Sequence, residues 1–391
     1  MSRFLLVSLP LSGHVNPIAA VADELRARGH EVAWAGSESF LRPVLGPDAT
    51  IYPIPLRLHR GQGDLGAAAI RSRWAGYVVP HARYTLDAID RAAREFRPDV
   101  LGVDQHAVAG ALVAHRHGLP WASLAPTSME LGRPYRQALP AVESWIHAHL
   151  DGLWRHAGLP GDPPHDLRFS PYLVISFSSA ALARPDLPDH RGRRLALVGA
   201  CVGARRAGPE FPVGLLDPGR RHVLVTVGTL AMDHAEAFYQ RMVAALAPLH
   251  DRLQAIVVTP DGTLPGPVPP HVLPTPRIAL PQLLPHLDAV VSHGGLNTVC
   301  ETLGHGIPLV VAPVKDDQGI NAAQVAAAGA GRRVSFFRSR PDELRAALLD
   351  VLDEPAYRAA AARVRTSLEA AGGAAAAADH LADLAAAGGR P

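Results

Sequence analysis

Ser292-His-Gly-Gly-Leu-Asn-Thr-Val-Cys-Glu301 is the stretch from which the rest of the chain is read. Ala289 to Ser292 is a short apolar run, two glycines allow a tight turn, and helical spacing begins near Leu296 or Asn297. A strand that turns into a helix this way presents backbone N–H groups and the positive end of a helix dipole above the strand. An anion is the natural occupant. His293 adds a hydrogen bond or a charge, Asn297 and Thr298 add side-chain donors, and Glu301, one turn beyond Asn297, faces the same ligand. A carboxylate repels phosphate but accepts hydrogen bonds from sugar hydroxyls, so Glu301 is assigned to a ribose.

The next strand is Gly306-Ile-Pro-Leu-Val-Val-Ala-Pro313, leading into the polar loop Lys315-Asp-Asp-Gln-Gly-Ile-Asn321 and another helix. Asp317 and Gln318 then lie at the carboxyl end of that strand, on the ligand side of the sheet. A carboxylate beside an amide suits the vicinal hydroxyls of a hexose. Around this core, strands are expected at His222–Val227, Gln254–Thr259, Ala289–Ser292, Leu309–Ala312 and Arg333–Ser335, with helices near His234–Ala247, Leu296–Gly304, Asn321–Ala328 and Pro341–Leu352. The Ala-rich tail from Tyr357 to Ala387 reads as helical.

The first half repeats the alternation. Arg3–Leu9 and Glu31–Ala35 are strand-like, as are segments near Val100–Val103, Trp121–Leu124 and Leu173–Phe177. In Ser12-Gly-His-Val-Asn-Pro17, His14 sits in the first strand-to-helix loop, with Asn16 the expected N-cap and Pro17 in the first turn. Asp104 ends another strand, in Pro98-Asp-Val-Leu-Gly-Val-Asp104, and so lies on the same edge as His14. A hydrogen bond between them would fix the imidazole tautomer and stabilise its protonated form. Two alternating series indicate two doubly wound parallel sheets. The boundaries read 1–203 for an N-terminal domain, 204–219 for a linker rich in Gly, Pro and Arg, 220–372 for a C-terminal domain, and 373–391 for a helix packing back on the first domain.

Composition excludes other classes. The 391 residues are 48% hydrophobic and 19% charged, with a formal charge of +2, which suits a globular enzyme and not a nucleic-acid binder. Lys315 is the lone lysine, and with the abundant Ala, Pro and Gly this reads as coding bias. Cys201 and Cys300 make no disulfide framework and no Cys-based zinc site, which fits a reducing cytoplasm. No run of 18 apolar residues spans a membrane. The first loop lacks Gly-x-Gly-x-x-Gly, against a nicotinamide dehydrogenase, and His115 and His117 do not form His-Glu-x-x-His.

His293-x-Gly295-x-Asn297-Thr298-x-x-Glu301, with Gly306-x-Pro308, Pro313, Asp317-Gln318 and Asn321-Ala322, resembles the donor signature of glycosyltransferase family 1, the UDP-glycosyltransferase-like group. Val227-Gly228-Thr229 is similar to that family's loop after the first C-domain strand, whose hydroxyl contacts phosphate. Leu280-Pro281-Gln282 resembles the segment whose backbone meets the nucleobase. Gly13-His14 with Pro17, and the Pro-Asp strand ending at Asp104, match the family's N-terminal pattern, so the likeness spans the chain. It implies the GT-B fold, two doubly wound Rossmann-like domains facing across a cleft. It also implies that His14 is the general base, Asp104 its orienting partner, and His293 with the helix N-terminus the receiver of the leaving diphosphate. One in-line displacement then inverts the anomeric centre. No metal and no cofactor beyond the nucleotide sugar is expected, because the chain has no Asp-x-Asp pair of the Mg²⁺-using kind.

Glu301 and the Asp317-Gln318 pair favour a UDP-glucose-type donor. Ala279 stands where UDP-specific plant members carry Trp, which keeps a dTDP-deoxysugar donor as the alternative. The weakly patterned stretches Asp48–Arg83 and Met129–Phe169 either line an acceptor site or are ordinary surface. Trp74, Tyr77, Met129, Trp145 and Trp154 are their candidate contacts for an apolar natural product, glycosylated on oxygen or carbon. A non-catalytic donor-binding auxiliary protein, or an epimerase or phosphorylase on this fold, is the rival reading. The assembly expected is a monomer or a homodimer.

Overall fold

The computed structural model describes residues 1–57, 67–132, 139–183, 194–202, 211–228, 235–259, 262, 264, 266–276 and 278–388. The chain divides into two compact units: Met1–Ser179 with Pro185–Arg205 and Ala371–Pro391, and Ala180–Arg184 with Arg206–Ala370.

The first unit carries strands β1 (Arg3–Val7), β2 (Glu31–Gly36), β3 (Thr50–Pro53), β4 (Val100–Asp104), β5 (Trp121–Ala125), β6 (Leu173–Ser176) and β7 (Arg194–Leu197). They form one parallel sheet in the order β3-β2-β1-β4-β5-β6-β7. β4 and β5 are buried along their whole length, as expected of central parallel strands covered by helices on both faces. Chain order reverses between β1 and β4, which pair directly with Val7 opposite Val103. The connections leaving these two strands therefore diverge and open a crevice at their carboxyl ends. The helix Gly373–Ala386 belongs to this unit. It packs on the helix Ser12–Ala27, with Ala377, Ala378 and Leu381 in the same core as Ile18, Val21 and Trp34. Arg28 ties it down through Asp379 and the Ala375 carbonyl.

The second unit has β8 (Arg221–Thr226), β9 (Leu253–Val258), β10 (Val272–Thr275), β11 (Ala289–Ser292), β12 (Leu309–Val311) and β13 (Gly331–Arg333), in the order β10-β9-β8-β11-β12-β13. Its reversal lies between β8 and β11, where Thr226 pairs with Ser292.

Several local readings change. The first helix begins at Ser12, with Leu11 as N-cap, so Asn16 is not the cap and Pro17 lies inside the helix. Val15 N bonds Leu11 O at 2.9 Å, closing the helical turn before Pro17 is reached. The helix expected at Asn321 starts at Gln318 with Asp317 at its N-cap. The last strand is Gly331–Arg333, two residues earlier than Arg333–Ser335. Met129–Phe169 contains a full helix, Pro140–His156, and Asp48–Arg83 contains β3, the helix Ala67–Arg73 and a π-helical turn, Trp74–Val78. The Ala-rich tail is two helices, Pro355–Ala370 and Gly373–Ala386, separated where Gly372 takes φ +84°. Thr229 and residues 204–210 of the expected linker lie outside the described residues.

Candidate active site

In the first unit, strand order brings together residues 90 apart in sequence. Asp104 ends β4, fully buried, and its Oδ2 lies 2.7 Å from His14 Nδ1 in the first turn of the helix after β1. The same oxygen accepts from Ser8 Oγ at 3.1 Å and Leu9 N at 3.2 Å, while Oδ1 accepts from His106 N at 3.0 Å. Burial by itself raises the Asp104 carboxyl. The charge and hydrogen bond of His14, with His106 beside it, outweigh that and hold the group at about 2. Asp104 is thus ionised at any ordinary assay pH. With a carboxylate on Nδ1, the neutral His14 tautomer keeps its proton there and leaves Nε2 basic.

His106 continues the polar chain inward. Its Nε2 is 3.3 Å from Glu130 Oε1, and Glu130 Oε2 accepts from Arg168 Nη1 at 2.6 Å. Arg168 is buried and also bonds Glu143 and Asp166. His14, Asp104 and His106 have ligand atoms within 4.8 Å of one another, and so do Glu143, His147 and Asp166.

In the second unit, the strand–turn–helix forms with Gly295 as N-cap and Leu296 as first helical residue. Gly294 N bonds Ser292 Oγ at 3.1 Å, which shapes the turn. Gly294 takes φ +87°, and a Cβ there would lie 2.6 Å from Val311 Cγ1. The glycines assigned to the donor serve first to house a ring. A Cβ on Gly228 would come 2.5 Å from His293 Cε1, and one on Gly295 would come 2.8 Å from His293 Nε2. His293 keeps some exposed surface, but its Nδ1 is buried. Burial lowers the imidazole to about 4, against a weaker upward pull from the Thr226 backbone. Of the two possibilities open from sequence, a hydrogen bond or a charge, the unliganded protein offers a neutral donor.

Glu301 is buried on the helix Leu296–Gly304, where Asn297 and Thr298 stay partly exposed. Burial, then the Glu301 charge and then that of Asp317, push the Cys300 thiol up to about 12, which makes this cysteine inert. Gln318 is less available than its sequence position implied. Its Oε1 accepts from Val314 N at 2.9 Å and Lys315 N at 3.1 Å, leaving the amide N–H groups for any ligand. Asn321, part of the signature but given no role of its own from sequence, donates to Gly294 O at 2.8 Å and Asp317 Oδ2 at 3.0 Å. It joins the glycine turn to the Asp317 loop, and Asp316 in that loop takes the left-handed φ of 62°. Leu280 opens the short helix Leu280–Leu283, with buried Ala279 as its N-cap.

Comparison with known proteins gives these features a lineage. The profile of the erythromycin biosynthesis protein CIII-like C-terminal domain matches residues 242–384. The chain is 31% identical to 4'-demethylrebeccamycin synthase of Lentzea aerocolonigenes over 93% of its own length and 95% of the relative's. This chain belongs to the antibiotic glycosyltransferases of family 1. It is 30% identical to the elloramycin glycosyltransferase of Streptomyces olivaceus, over 94% of this chain and 93% of that one. The crystal structure of the kitacinnamycin glycotransferase superposes with a TM-score of 0.83 at 27% identity, covering 98% of each chain. The two parallel-sheet domains are those of the GT-B fold, and the protein is a natural-product glycosyltransferase of the antibiotic-biosynthesis type. No helix among the described residues is long and apolar enough to cross a membrane.

The aromatic residues assigned to the glycosyltransferase's acceptor do not form one group. Trp74 is fully buried, edge-on to His106 at 6.0 Å, and His106 in turn lies 5.8 Å from His14. Tyr77 packs 5.5 Å from His81, and both feel the Asp104 charge. Met129 is buried beside Glu130 in sequence. Trp145 instead meets His149 at 4.5 Å on the helix Pro140–His156, and Trp154 is a core residue whose Nε1 donates to Pro160 O. Ser8, His106, Glu130 and Arg168 carried no sequence signal, because the side-chain contacts of Ser8 with Asp104 and of Glu130 with His106 and Arg168 join residues far apart along the chain.

Proposed function

We propose that the chain transfers a hexose from a UDP-glucose-type donor to a hydroxyl of an apolar, aromatic small molecule, by one inverting displacement without a metal. The observation that carries this is the 2.7 Å contact between His14 and fully buried Asp104. His14 Nε2 takes the acceptor hydroxyl proton as the oxygen attacks the anomeric carbon, and Asp104 stabilises the imidazolium that results. The bond from the anomeric carbon to the diphosphate breaks, and its electron pair leaves with the nucleoside diphosphate. Backbone N–H groups at the start of Leu296–Gly304, with the neutral His293 donor, receive that charge. Glu301 holds the ribose, and Asp317 with the Gln318 amide N–H groups holds the sugar. Trp74 and Tyr77, buried on the π-helical turn, back His106 and His81 behind the acceptor side. Such turns occur frequently at functional sites.

Ala279 supports a second reading, a dTDP-deoxysugar donor, since no aromatic ring stands at the start of Leu280–Leu283 to stack on uracil. Mass spectrometry of the purified protein with UDP- and dTDP-sugars against aromatic acceptors separates the two. In the same assay His14→Ala loses transfer by about two to four orders of magnitude while keeping nucleotide affinity. Unchanged turnover in that variant removes the base assignment.

A further inference from the structure

Asp104 is a fully buried carboxylate whose partners among the described residues are Ser8, Leu9, His14 and the His106 backbone. Apart from a proton on an imidazole, none of these contacts carries a positive charge. We propose that His14, Asp104 and His106 form a site for a divalent transition metal, and that Zn²⁺ bound there inhibits the glycosyltransferase by occupying its base. The binding stands on the geometry of these three residues, whereas the inhibition rests on the reading of His14 as base.

Two imidazoles and one carboxylate are a common Zn²⁺ ligand set with a fourth position open. Their ligand atoms already lie within 4.8 Å of one another. With metal–ligand bonds of about 2.0–2.1 Å, tetrahedral donors sit roughly 3.3 Å apart. The His14–Asp104 pair, at 2.7 Å, opens by only about 0.6 Å to admit the ion. The ion displaces the proton between Nδ1 and Oδ2, the neutral imidazole then carries its single proton on Nε2, and that nitrogen can no longer accept the proton of a hydroxyl.

The supporting shell is in place as well. A metal-binding histidine characteristically gives its other ring nitrogen to a carboxylate. His106 Nε2 faces Glu130 Oε1 at 3.3 Å, and Glu130 is anchored by Arg168 at 2.6 Å, which leaves His106 Nδ1 for the ion. Asp104 is held by Ser8 and Leu9. The second cluster of similar spacing, Glu143 with His147 and Asp166, differs in one respect: the Arg168 guanidinium already lies 2.6 Å from Glu143 and 2.8 Å from Asp166. Its cation is covalently part of the protein.

The test uses the full chain, stripped with EDTA and titrated with ZnCl₂ by calorimetry, alongside transfer assays with Zn²⁺ and with Mg²⁺. One Zn²⁺ binds wild type, transfer falls as that site fills, EDTA restores it, and Mg²⁺ does neither. His106→Gln keeps a donor for Glu130 but removes the ligand, so the inhibition constant rises about tenfold or more. Glu130→Gln keeps all three ligands and weakens zinc by about tenfold, which covers the case in which His106→Gln does not fold. An inhibition constant unchanged in both variants overturns the site, as does wild type that binds zinc without losing activity or binds none. Failure of His14 as the base is seen separately, as turnover retained by His14→Ala with calorimetric zinc binding unaffected in wild type.

Discussion

Gly295→Ala isolates the housing of the His293 ring. The backbone at Gly295 has φ −60° and ψ 137°, which alanine adopts without strain. The added methyl would stand 2.8 Å from His293 Nε2 and 3.2 Å from Cε1, where ordinary contact begins at 3.4 Å. The imidazole must therefore retreat by about 0.6 Å, and a Cβ cannot yield instead because it is fixed to the helix N-cap. Misplacing a donor by the order of 1 Å costs about a hundredfold in rate, close to 3 kcal/mol. Folding suffers less, because a partly exposed ring has room to move and overpacking starts near 1 kcal/mol. The decisive assay is a double-mutant cycle on kcat/KM for the donor, with UDP affinity by calorimetry and melting temperature as controls. Gly295→Ala loses about a hundredfold when His293 is present and almost nothing further in a His293→Ala background, since the clash has gone. Additive losses would show that Gly295 acts through something other than the ring. Gly228→Ala is a harsher version of the same change, with a 2.5 Å approach and a φ of +66° that disfavours any side chain.

The remaining predictions concern the base, the ribose and acid stability. Asp104→Asn removes a charge about 4 Å from the imidazolium centre, worth about 4 kcal/mol at an effective dielectric near 20, so kcat falls about a thousandfold with donor KM little changed; a loss under tenfold in steady-state assays argues against the dyad. Glu301→Ala weakens UDP about tenfold and dTDP less, because deoxyribose offers one hydroxyl fewer; equal losses by calorimetry contradict the ribose assignment. His81 is lowered to about 4 by burial, partly offset by Asp104, while the unfolded chain takes up its proton near 6.5. The unfolded state then binds more protons between these values, and stability declines by about 3 kcal/mol as pH falls from 6.5 to 4. Urea melts of His81→Leu should show a shallower decline across that window, and curves parallel to wild type refute the assignment.

Sequence spacing settled whatever depends on neighbours along the chain. The apolar runs of β1, β4, β5 and β11 mark buried strands, and the two glycines after Ser292 mark the turn into a helix. Both halves alternate strand and helix, so two doubly wound sheets were legible, as was the grouping of His293 with Glu301. Short edge strands were not. Thr50-Ile-Tyr-Pro53 and Val272-Leu-Pro-Thr275 each contain a proline and are only partly buried, so periodicity hardly registers them. Tertiary structure alone decided which residues meet and in what dielectric. His14 reaches Asp104 because β1 lies beside β4, and the His293 ring sits between Gly228 and Gly295 because β8 lies beside β11. The same burial that gathers these groups makes His293 a neutral donor and keeps Asp104 ionised under His14. It also assigns the Gln318 oxygen to its own loop. Spacing along a chain is a local property, whereas a hydrogen-bond partner or a desolvated ring is made by strands that neighbour each other only after folding.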